Sequence, residues 1–118
     1  MRYTDSHEWI ECKGKVGTVG ITDYAQKELG DIVSVELPKV GQILKAKQEA
    51  CVLESTKAAA DVYTPVSGKV IAVNEALKKD ASLINRDAQK AGWLFQIELS
   101  NPQEVDRLMT EKEYTEMT

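Results

Sequence analysis

The sequence predicts a mainly β protein with short helices and a helical C-terminal segment. Valine and isoleucine together number 18 against 9 leucines, and 15 of those 18 lie at or before Val73. Because β-branched residues favour strands, this distribution indicates a β-rich body followed by a more helical tail. Apolar and polar positions also alternate, as in residues 31–37, where Val33, Val35 and Leu37 share one face.

Seven segments carry this strand signal, and turn residues separate several of them. The Gly14-Lys15 pair fits a tight turn between the first two segments. The predicted strands are residues 7–13, 16–19, 31–37, 49–55, 59–64, 69–74 and 93–99.

Start and stop signals predict one short helix between the strands, at Asp23–Leu29. Asp23 is a capping residue with Gln26 three positions later, and Gly30 supplies a left-handed stop. Residues 78–92 are polar and only weakly periodic. This pattern predicts a surface loop.

Two further helix-start signals lie near the C-terminus. Asn101 and Pro102 provide a cap and a proline at the first helical position. Thr110 and Glu113 have the spacing of a capping box. Residues 102–117 are therefore predicted to form one broken helix or two short helices.

Length and charge exclude several classes of protein. At 118 residues the chain fits one domain, which we expect to span residues 1–118 as a monomer. A net charge of −4 provides no basic surface for nucleic acid or anionic lipid. The longest apolar runs have only four residues, whereas a bilayer span needs roughly 18. We therefore expect neither nucleic-acid binding nor membrane insertion.

The chain offers few residues for metal or redox chemistry. Cys12 and Cys51 lie outside any C-x-x-C motif, and His7 is the sole histidine, so a Cys/His metal site is not expected. No apolar segment typical of a secretion signal lies at the start of the sequence. The expected compartment is the cytoplasm, where both thiols stay reduced.

The turn motif P-x-x-G occurs twice, 27 residues apart, and this repeated motif is called the P-x-x-G echo. The two turns are Pro38-Lys39-Val40-Gly41 and Pro65-Val66-Ser67-Gly68, each between strand-like segments. Two unrelated turns explain the echo as well as a duplicated half does. If the echo is structural, residues 49–64 form a projecting hairpin with Lys57 at its exposed tip.

A Schiff-base role for Lys57 is not favoured by its neighbours. Lysine amines are almost fully protonated at neutral pH, and catalytic lysines escape this by burial or a cationic neighbour. Glu54 and Asp61 flank Lys57 and favour the charged amine. With twelve lysines in the chain, a solvated surface lysine is the stronger interpretation from residues alone.

Other reactive or aromatic side chains also favour structural roles. Neither cysteine lies near His7 in sequence, and His7 is predicted to be a structural histidine in the opening strand. Trp9 and Trp93 lack an accompanying basic groove, which favours core or rim positions over base stacking.

Motifs along nearly the whole chain match one family pattern, and they do so in order. The matching stretches are Tyr3-Thr4, His7-Glu8-Trp9, Val19 through Gln26, Leu29 through Val33, Val35 through Gly41, Glu54-Ser55-x-Lys57-Ala58-Ala59, Asp61 through Gly68, Val73 through Leu77, and Gly92-Trp93-Leu94. Since the matches follow one order, chance similarity is an inadequate explanation. In these stretches the chain resembles the H proteins of the glycine cleavage system, the lipoyl carriers of that complex.

This resemblance implies a barrel-sandwich hybrid fold, with two antiparallel sheets related by approximate two-fold symmetry. It implies that Lys57 carries lipoate in amide linkage at the hairpin tip. Glu54 and Gly68 match positions that lipoylating enzymes of the family read, and Gly41 matches the opposing turn glycine. Lipoate is preferred over biotin because Thr56 and Ala58, rather than methionines, flank the lysine.

The resemblance also implies a set of partners for a carrier that is not itself an enzyme. They are glycine decarboxylase, which loads the aminomethyl group, aminomethyltransferase, which receives it, and dihydrolipoamide dehydrogenase, which reoxidises the arm. A lipoate ligase or a lipoyl or octanoyl transferase attaches the cofactor. A carrier needs little chemistry of its own because its cofactor supplies the reactive group.

The chain departs from the family pattern at four places. A customary Gly-Asp turn is Lys47-Gln48, a glycine is Cys51, an aromatic residue is Ser34, and a Pro-Tyr-Gly is Ala88-Gln89-Lys90. The departures at Lys47-Gln48, Cys51 and Ala88-Gln89-Lys90 support a second hypothesis. In it, the chain is a divergent H-like protein that serves as a lipoyl relay or redox carrier for other lipoate-dependent enzymes.

Overall fold

Two antiparallel sheets form the body of the protein. A computed structural model describes residues 1–118. The larger sheet has the strand order β1-β2-β3-β9-β8-β5, and the smaller has the order β4-β6-β7. The strands are β1 Arg2–Tyr3, β2 Glu8–Lys13, β3 Val16–Ile21, β4 Ile32–Glu36, β5 Ile43–Leu44, β6 Glu49–Ser55, β7 Ala59–Tyr63, β8 Gly68–Val73 and β9 Phe95–Leu99.

Five short helices lie between and after the strands. The longest contain seven residues, and none has the length and apolar character that a membrane span requires. The helices are α1 Asp23–Leu29, α2 Ala76–Lys79, α3 Leu83–Arg86, α4 Gln103–Asp106 and α5 Glu111–Met117.

All seven predicted strands are present, with bounds that differ by two residues or fewer. His7 lies just before β2 rather than in it, with a left-handed φ of 71°. The two-residue strands β1 and β5 were not predicted, because two residues carry no alternation pattern.

The predicted helix α1 is confirmed, but its cap lies one residue earlier than expected. The Thr22 side chain accepts a hydrogen bond from the Ala25 amide, whereas Asp23 is the first helical residue and accepts from Gln26 Nε2. Gly30 ends the helix with a φ of 80°, as predicted. Threonine and aspartate are both good caps, so adjacent candidates are not separable by residue type.

The C-terminal segment forms two short helices, α4 and α5, rather than one broken helix. The predicted capping box is present: Thr110 and Glu113 each accept a hydrogen bond from the other's backbone amide. Tyr114 then packs with Tyr3 and Trp9 in a small cluster beside the main core. This contact fixes the C-terminal helix to the start of the chain.

The surface-loop prediction for residues 78–92 is wrong. The segment contains the end of α2 and all of α3, and it buries Ile84 and Ala88. Each of these helices has four residues and buries one apolar side chain, Leu77 in α2 and Ile84 in α3. One buried residue per helix gives no hydrophobic period, so the sequence pattern resembled a polar loop.

The core lies between the two sheets. Sixteen buried side chains form one continuous cluster that includes residues of both sheets and of the helices α2 and α3. Leu53 and Val62 enter it from the smaller sheet, and Val19, Val70 and Ile97 from the larger. Strands β6, β8 and β9 alternate buried and more exposed residues, as the sequence predicted. The predicted alternation is wrong for β4: Val33 is 55% exposed, and the pairing of β4 with β6 shifts register between Ile32 and Ser34.

The P-x-x-G echo corresponds to a structural pairing. The strands that follow the two turns, β5 and β8, pair antiparallel, with Leu44 opposite Gly68. Gly41 has a φ of 95°, which favours glycine, and its amide donates to the Val70 carbonyl. A Cβ at Gly68 would collide with the Glu98 carbonyl oxygen. The two glycines therefore serve this pairing for different reasons.

The departure at Lys47 lies at a position where glycine suits the backbone. Lys47 is exposed and has a φ of 72°, in the left-handed region. Its amide donates to the Thr64 carbonyl, which holds this conformation in place. A residue with a Cβ is strained there by about 1–2 kcal/mol.

Replacing Lys47 by glycine is expected to stabilise the protein. Relief of the left-handed strain exceeds the extra unfolded-state entropy of glycine, for a net gain of about 0.5–1 kcal/mol. Chemical denaturation of Lys47→Gly would measure this gain in the free energy of unfolding. The matched control is Lys45→Gly, at an exposed position without a left-handed φ, which should lose stability. A loss of stability in both variants would contradict the strain argument.

Candidate functional site

The strands β6 and β7 form a hairpin whose tip carries Lys57. Their antiparallel pairing runs from Glu49 opposite Tyr63 to Glu54 opposite Ala59. The Ser55 amide donates to the Ala58 carbonyl at 2.8 Å and closes the turn. The predicted hairpin with an exposed lysine at its tip is confirmed.

The Ser55 side chain holds the backbone of the tip. Its Oγ accepts hydrogen bonds from the amides of Lys57 and Ala58, both at 3.1 Å, and donates to the Ala58 carbonyl. Ser55 is itself buried, so these bonds are protected from water. The turn that carries Lys57 is therefore ordered without any contribution from the Lys57 side chain.

The Lys57 side chain extends past the end of helix α1. A Cβ built on Gly30 would lie 3.3 Å from Lys57 Cε and 3.7 Å from Nζ, so the lysine stem passes over a residue that has no side chain. None of the three ion pairs in the structure involves Lys57. The Lys57 amine is thus exposed and forms no ion pair.

A neighbouring loop supports the tip from one side. The Thr56 amide donates to the Asp31 carbonyl at 3.0 Å, and Ile32 pairs with Ser55 at the start of β4. Glu54, the residue predicted to be read during lipoylation, is exposed and lies across from Ser34 on β4. The structure therefore places Glu54 beside the tip.

An open groove of about 560 Å³ lies at the other end of the hairpin. Tyr63 at the end of β7, Lys47 and Arg107 are among its lining residues, and Glu8 lies in its wall. Ala59, Asp61 and Tyr63 alternate on the exposed face of β7 between Lys57 and the groove. One face of a single strand thus connects the tip to the groove.

Glu8 is a buried carboxylate that the sequence did not single out. It is 2% exposed, and it accepts hydrogen bonds from the hydroxyls of Thr4 and Ser6 and from the Tyr63 amide. Burial raises the pKa of the Glu8 carboxyl, and these three donors oppose that rise. A carboxylate has about four acceptor positions, so one remains for a further donor.

His7 and the tryptophans have the structural roles that were predicted for them. His7 Nδ1 and the Tyr114 hydroxyl are 2.7 Å apart and hydrogen bonded, which links the residue before β2 to α5. Trp9 is buried, and its Nε1 donates to the Ala88 carbonyl. Trp93 is partly buried and packs on the cluster around Trp9.

Comparison with known protein families shows which family this chain belongs to. The family model described as glycine cleavage H-protein matches residues 1–118, the full length of the chain. The chain belongs to the glycine cleavage H-protein family. Proteins of this family carry lipoate and work with the other components of the glycine cleavage system.

Individual relatives agree with the family assignment. The chain is 54% identical over 113 residues to the glycine cleavage system H protein of Beijerinckia indica, covering 96% of this chain and 91% of that protein. It is 50% identical over 116 residues to that of Parvibaculum lavamentivorans, covering 98% and 93%. A crystal structure of a glycine cleavage system H protein from Mycobacterium marinum superposes with a TM-score of 0.90 at 36% identity, covering 98% and 93%.

The predicted barrel-sandwich architecture of the H-protein family is therefore confirmed, and the two sheets described above are its two layers. Gly41 and Gly68, however, do not lie at the hairpin tip. They follow the ends of β4 and β7 that point away from Lys57, and the seven residues of β6 span roughly 20 Å between the two ends. Of the three predicted recognition residues, only Glu54 adjoins Lys57.

Proposed function

We propose that this H-protein family member is the lipoyl carrier of the glycine cleavage system, with lipoate in amide linkage to Lys57 Nζ. The observation that carries this proposal is an exposed lysine at the tip of a hairpin whose turn is held by Ser55. A rigid turn presents the amine to an attaching enzyme at low entropic cost. The carrier then moves the aminomethyl group and electrons between the other components.

The residues around Lys57 fit an acylated lysine. Gly30 leaves room beside the stem, and no acid forms an ion pair with Nζ that amidation would have to break. When bound, lipoate supplies a dithiolane whose sulfurs accept electrons and the transferred group. The chain supplies attachment, an accessible tip and surfaces for docking.

The proposed partners are glycine decarboxylase, aminomethyltransferase and dihydrolipoamide dehydrogenase, each of which must reach the same arm in turn. An exposed tip that makes no other contact satisfies this requirement, since successive partners can enclose it. A lipoate ligase or a lipoyl or octanoyl transferase is the fourth partner. The divergent relay hypothesis is not favoured, because relatives about half identical over nearly the whole chain carry the glycine cleavage name.

We assign the direct contact with the lipoylating enzyme to Glu54, which is exposed three residues before Lys57. Gly68 and Gly41 act on recognition through the backbone, because one lies against the Glu98 carbonyl and the other has a left-handed φ. Both glycines shape the pairing of strands within the larger sheet, where Gly41 is hydrogen bonded to Val70 and Gly68 pairs with Leu44. Their contribution to recognition is the shape of the surface to which the attaching enzyme binds.

The groove beside Tyr63 fits the amine that the carrier transports. Glu8 has one free acceptor position, and an amine is a strong donor to a carboxylate in a partly water-excluded site. Lysine extended by an acyl chain is long and flexible, and the exposed face of β7 leads from the tip to the groove. Glu8 would hold the amine there and limit the access of water between partners.

Mass spectrometry of the native protein tests the attachment site. We expect one lipoyl increment on Lys57 after growth with lipoate, and none in Lys57→Arg, which keeps the charge but has no acylatable amine. Peptide mapping locates the increment, and Lys69→Arg, at an exposed position on β8, should stay fully modified. An unmodified Lys57 in lipoate-replete cells would falsify the proposal.

Kinetics of lipoylation test the role of Glu54. Replacing Glu54 with glutamine preserves its size and removes its charge, so kcat/KM for a lipoate ligase should fall by about threefold to tenfold, the equivalent of one exposed polar contact. Glu49→Gln, at the exposed start of the same strand, should not change the rate. Equal rates for the two variants would remove Glu54 from the recognition surface.

Spontaneous release of ammonia tests the groove. After loading with glycine and glycine decarboxylase, the lipoylated Glu8→Gln carrier should lose ammonia about threefold to tenfold faster than wild type, since one charge-assisted hydrogen bond is lost. The control is Glu11→Gln, an exposed acid on the same strand β2. If all three carriers release ammonia at one rate, the groove does not hold the amine.

A further inference from the structure

The Asn85 side chain bridges helix α3 to the loop that supports the Lys57 turn. Its Oδ1 accepts a hydrogen bond from the Ile32 amide at 2.8 Å. Its Nδ2 donates to the Gly30 carbonyl at 2.9 Å and to Gln26 Oε1 at 3.0 Å. One side chain therefore binds both ends of residues 30–32.

This short segment is in direct contact with the hairpin tip. The Asp31 carbonyl accepts from the Thr56 amide, and Ile32 pairs with Ser55. Gly30 lies against the Lys57 stem. The orientation of the tip therefore depends on where residues 30–32 are held.

The sheet alone does not hold that segment regularly. The pairing of β4 with β6 shifts register between Ile32 and Ser34, so the ladder is interrupted at the end nearest the tip. Gly30 has a left-handed φ and ends α1, which makes it a flexible joint in the unsupported chain. At this irregularity the Asn85 side chain provides hydrogen-bond partners for backbone groups of Gly30 and Ile32, which a continuous ladder would otherwise provide.

We propose that Asn85 is a positioning residue for lipoylation: by fixing Gly30 and Ile32, it holds the Lys57 turn in the orientation that the attaching enzyme recognises. This inference rests on the proposed attachment of lipoate at Lys57. The Asn85 side chain is hydrogen bonded to Ile32, Gly30 and Gln26 and not to Lys57. It acts by raising the fraction of molecules whose tip is ready to bind, and apparent affinity scales with that fraction.

Asn74 provides a matched control within the same chain. It also makes three side-chain hydrogen bonds to backbone or polar partners: Nδ2 donates to the Ala91 and Trp93 carbonyls, and Oδ1 accepts from the Ala76 amide. None of those partners is hydrogen bonded to residues 30–32. Asn74→Ala and Asn85→Ala thus remove equal numbers of bonds at two different places.

The test compares lipoylation of the purified full-length chain and its variants by a lipoate ligase. For Asn85→Ala, kcat/KM should fall by about fivefold or more while kcat at saturating carrier stays within about twofold, since only the competent fraction changes. Native-state amide exchange at Thr56 should accelerate by about tenfold, because its acceptor Asp31 is no longer held. Asn74→Ala should change neither quantity after correction for its global stability.

Each outcome decides one of the two proposals. The positioning role would be overturned if Asn85→Ala and Asn74→Ala had equal effects on the exchange rate of the Thr56 amide and on kcat/KM. A fall in kcat alone would also overturn it. If Asn85→Ala does not fold, Asn85→Asp keeps the acceptor for Ile32 and removes the donation to Gly30, and the same comparison applies. Wild-type protein that is never lipoylated would refute the attachment at Lys57, whereas the exchange comparison at Thr56 would still decide the role of Asn85.

Discussion

The antiparallel pairing of β6 with β7 is the constraint on which the rest of the structure depends. It fixes Lys57 at one end of the hairpin and Tyr63 at the other, and it turns Leu53 and Val62 into the core. Since side chains alternate between the two faces, a slip of one residue would bury the exposed residues of β7 and expose its core residue. The position of the lysine and the packing of the smaller sheet are therefore set together.

The tip is ordered by groups that lie outside the lysine side chain, and this separation suits a carrier. Ser55 satisfies the turn amides, the Asp31 carbonyl satisfies Thr56, and Asn85 holds the loop that contains Asp31. Acylation of Nζ removes a charge but breaks none of these bonds. Under the proposed attachment at Lys57, the same backbone would present a free amine to the attaching enzyme and an amide-linked arm to later partners.

The parts predictable from sequence were those with repeating patterns. The β-branched content, with alternation in places, located all seven strands. The two P-x-x-G turns suggested the hairpin only if they were structurally related, and the choice of Lys57 among twelve lysines required the family pattern. Glu8 and Asn85 gave no such signal. Thr4 and Ser6 lie near Glu8 in sequence, but the contacts that place the two side chains in the fold are with Tyr63 and Ile32, 55 and 53 positions away. Such long-range polar contacts depend on which elements the fold brings together, and residue type alone does not specify them.

The burial of Cys51 bears on the chemistry of a dithiolane carrier. The thiol is 1% exposed, and burial, with a smaller contribution from the Glu8 carboxylate, raises its pKa to about 12. Burial also raises the pKa of Cys12. Thiol–disulfide exchange requires a thiolate with access to the attacked sulfur, and Cys51 at neutral pH offers neither. Cysteine in place of the family's glycine therefore adds an apolar side chain to the core but no thiolate that could react with the lipoyl disulfide. Thiol–disulfide exchange is left to the sulfurs of lipoate and of its partners.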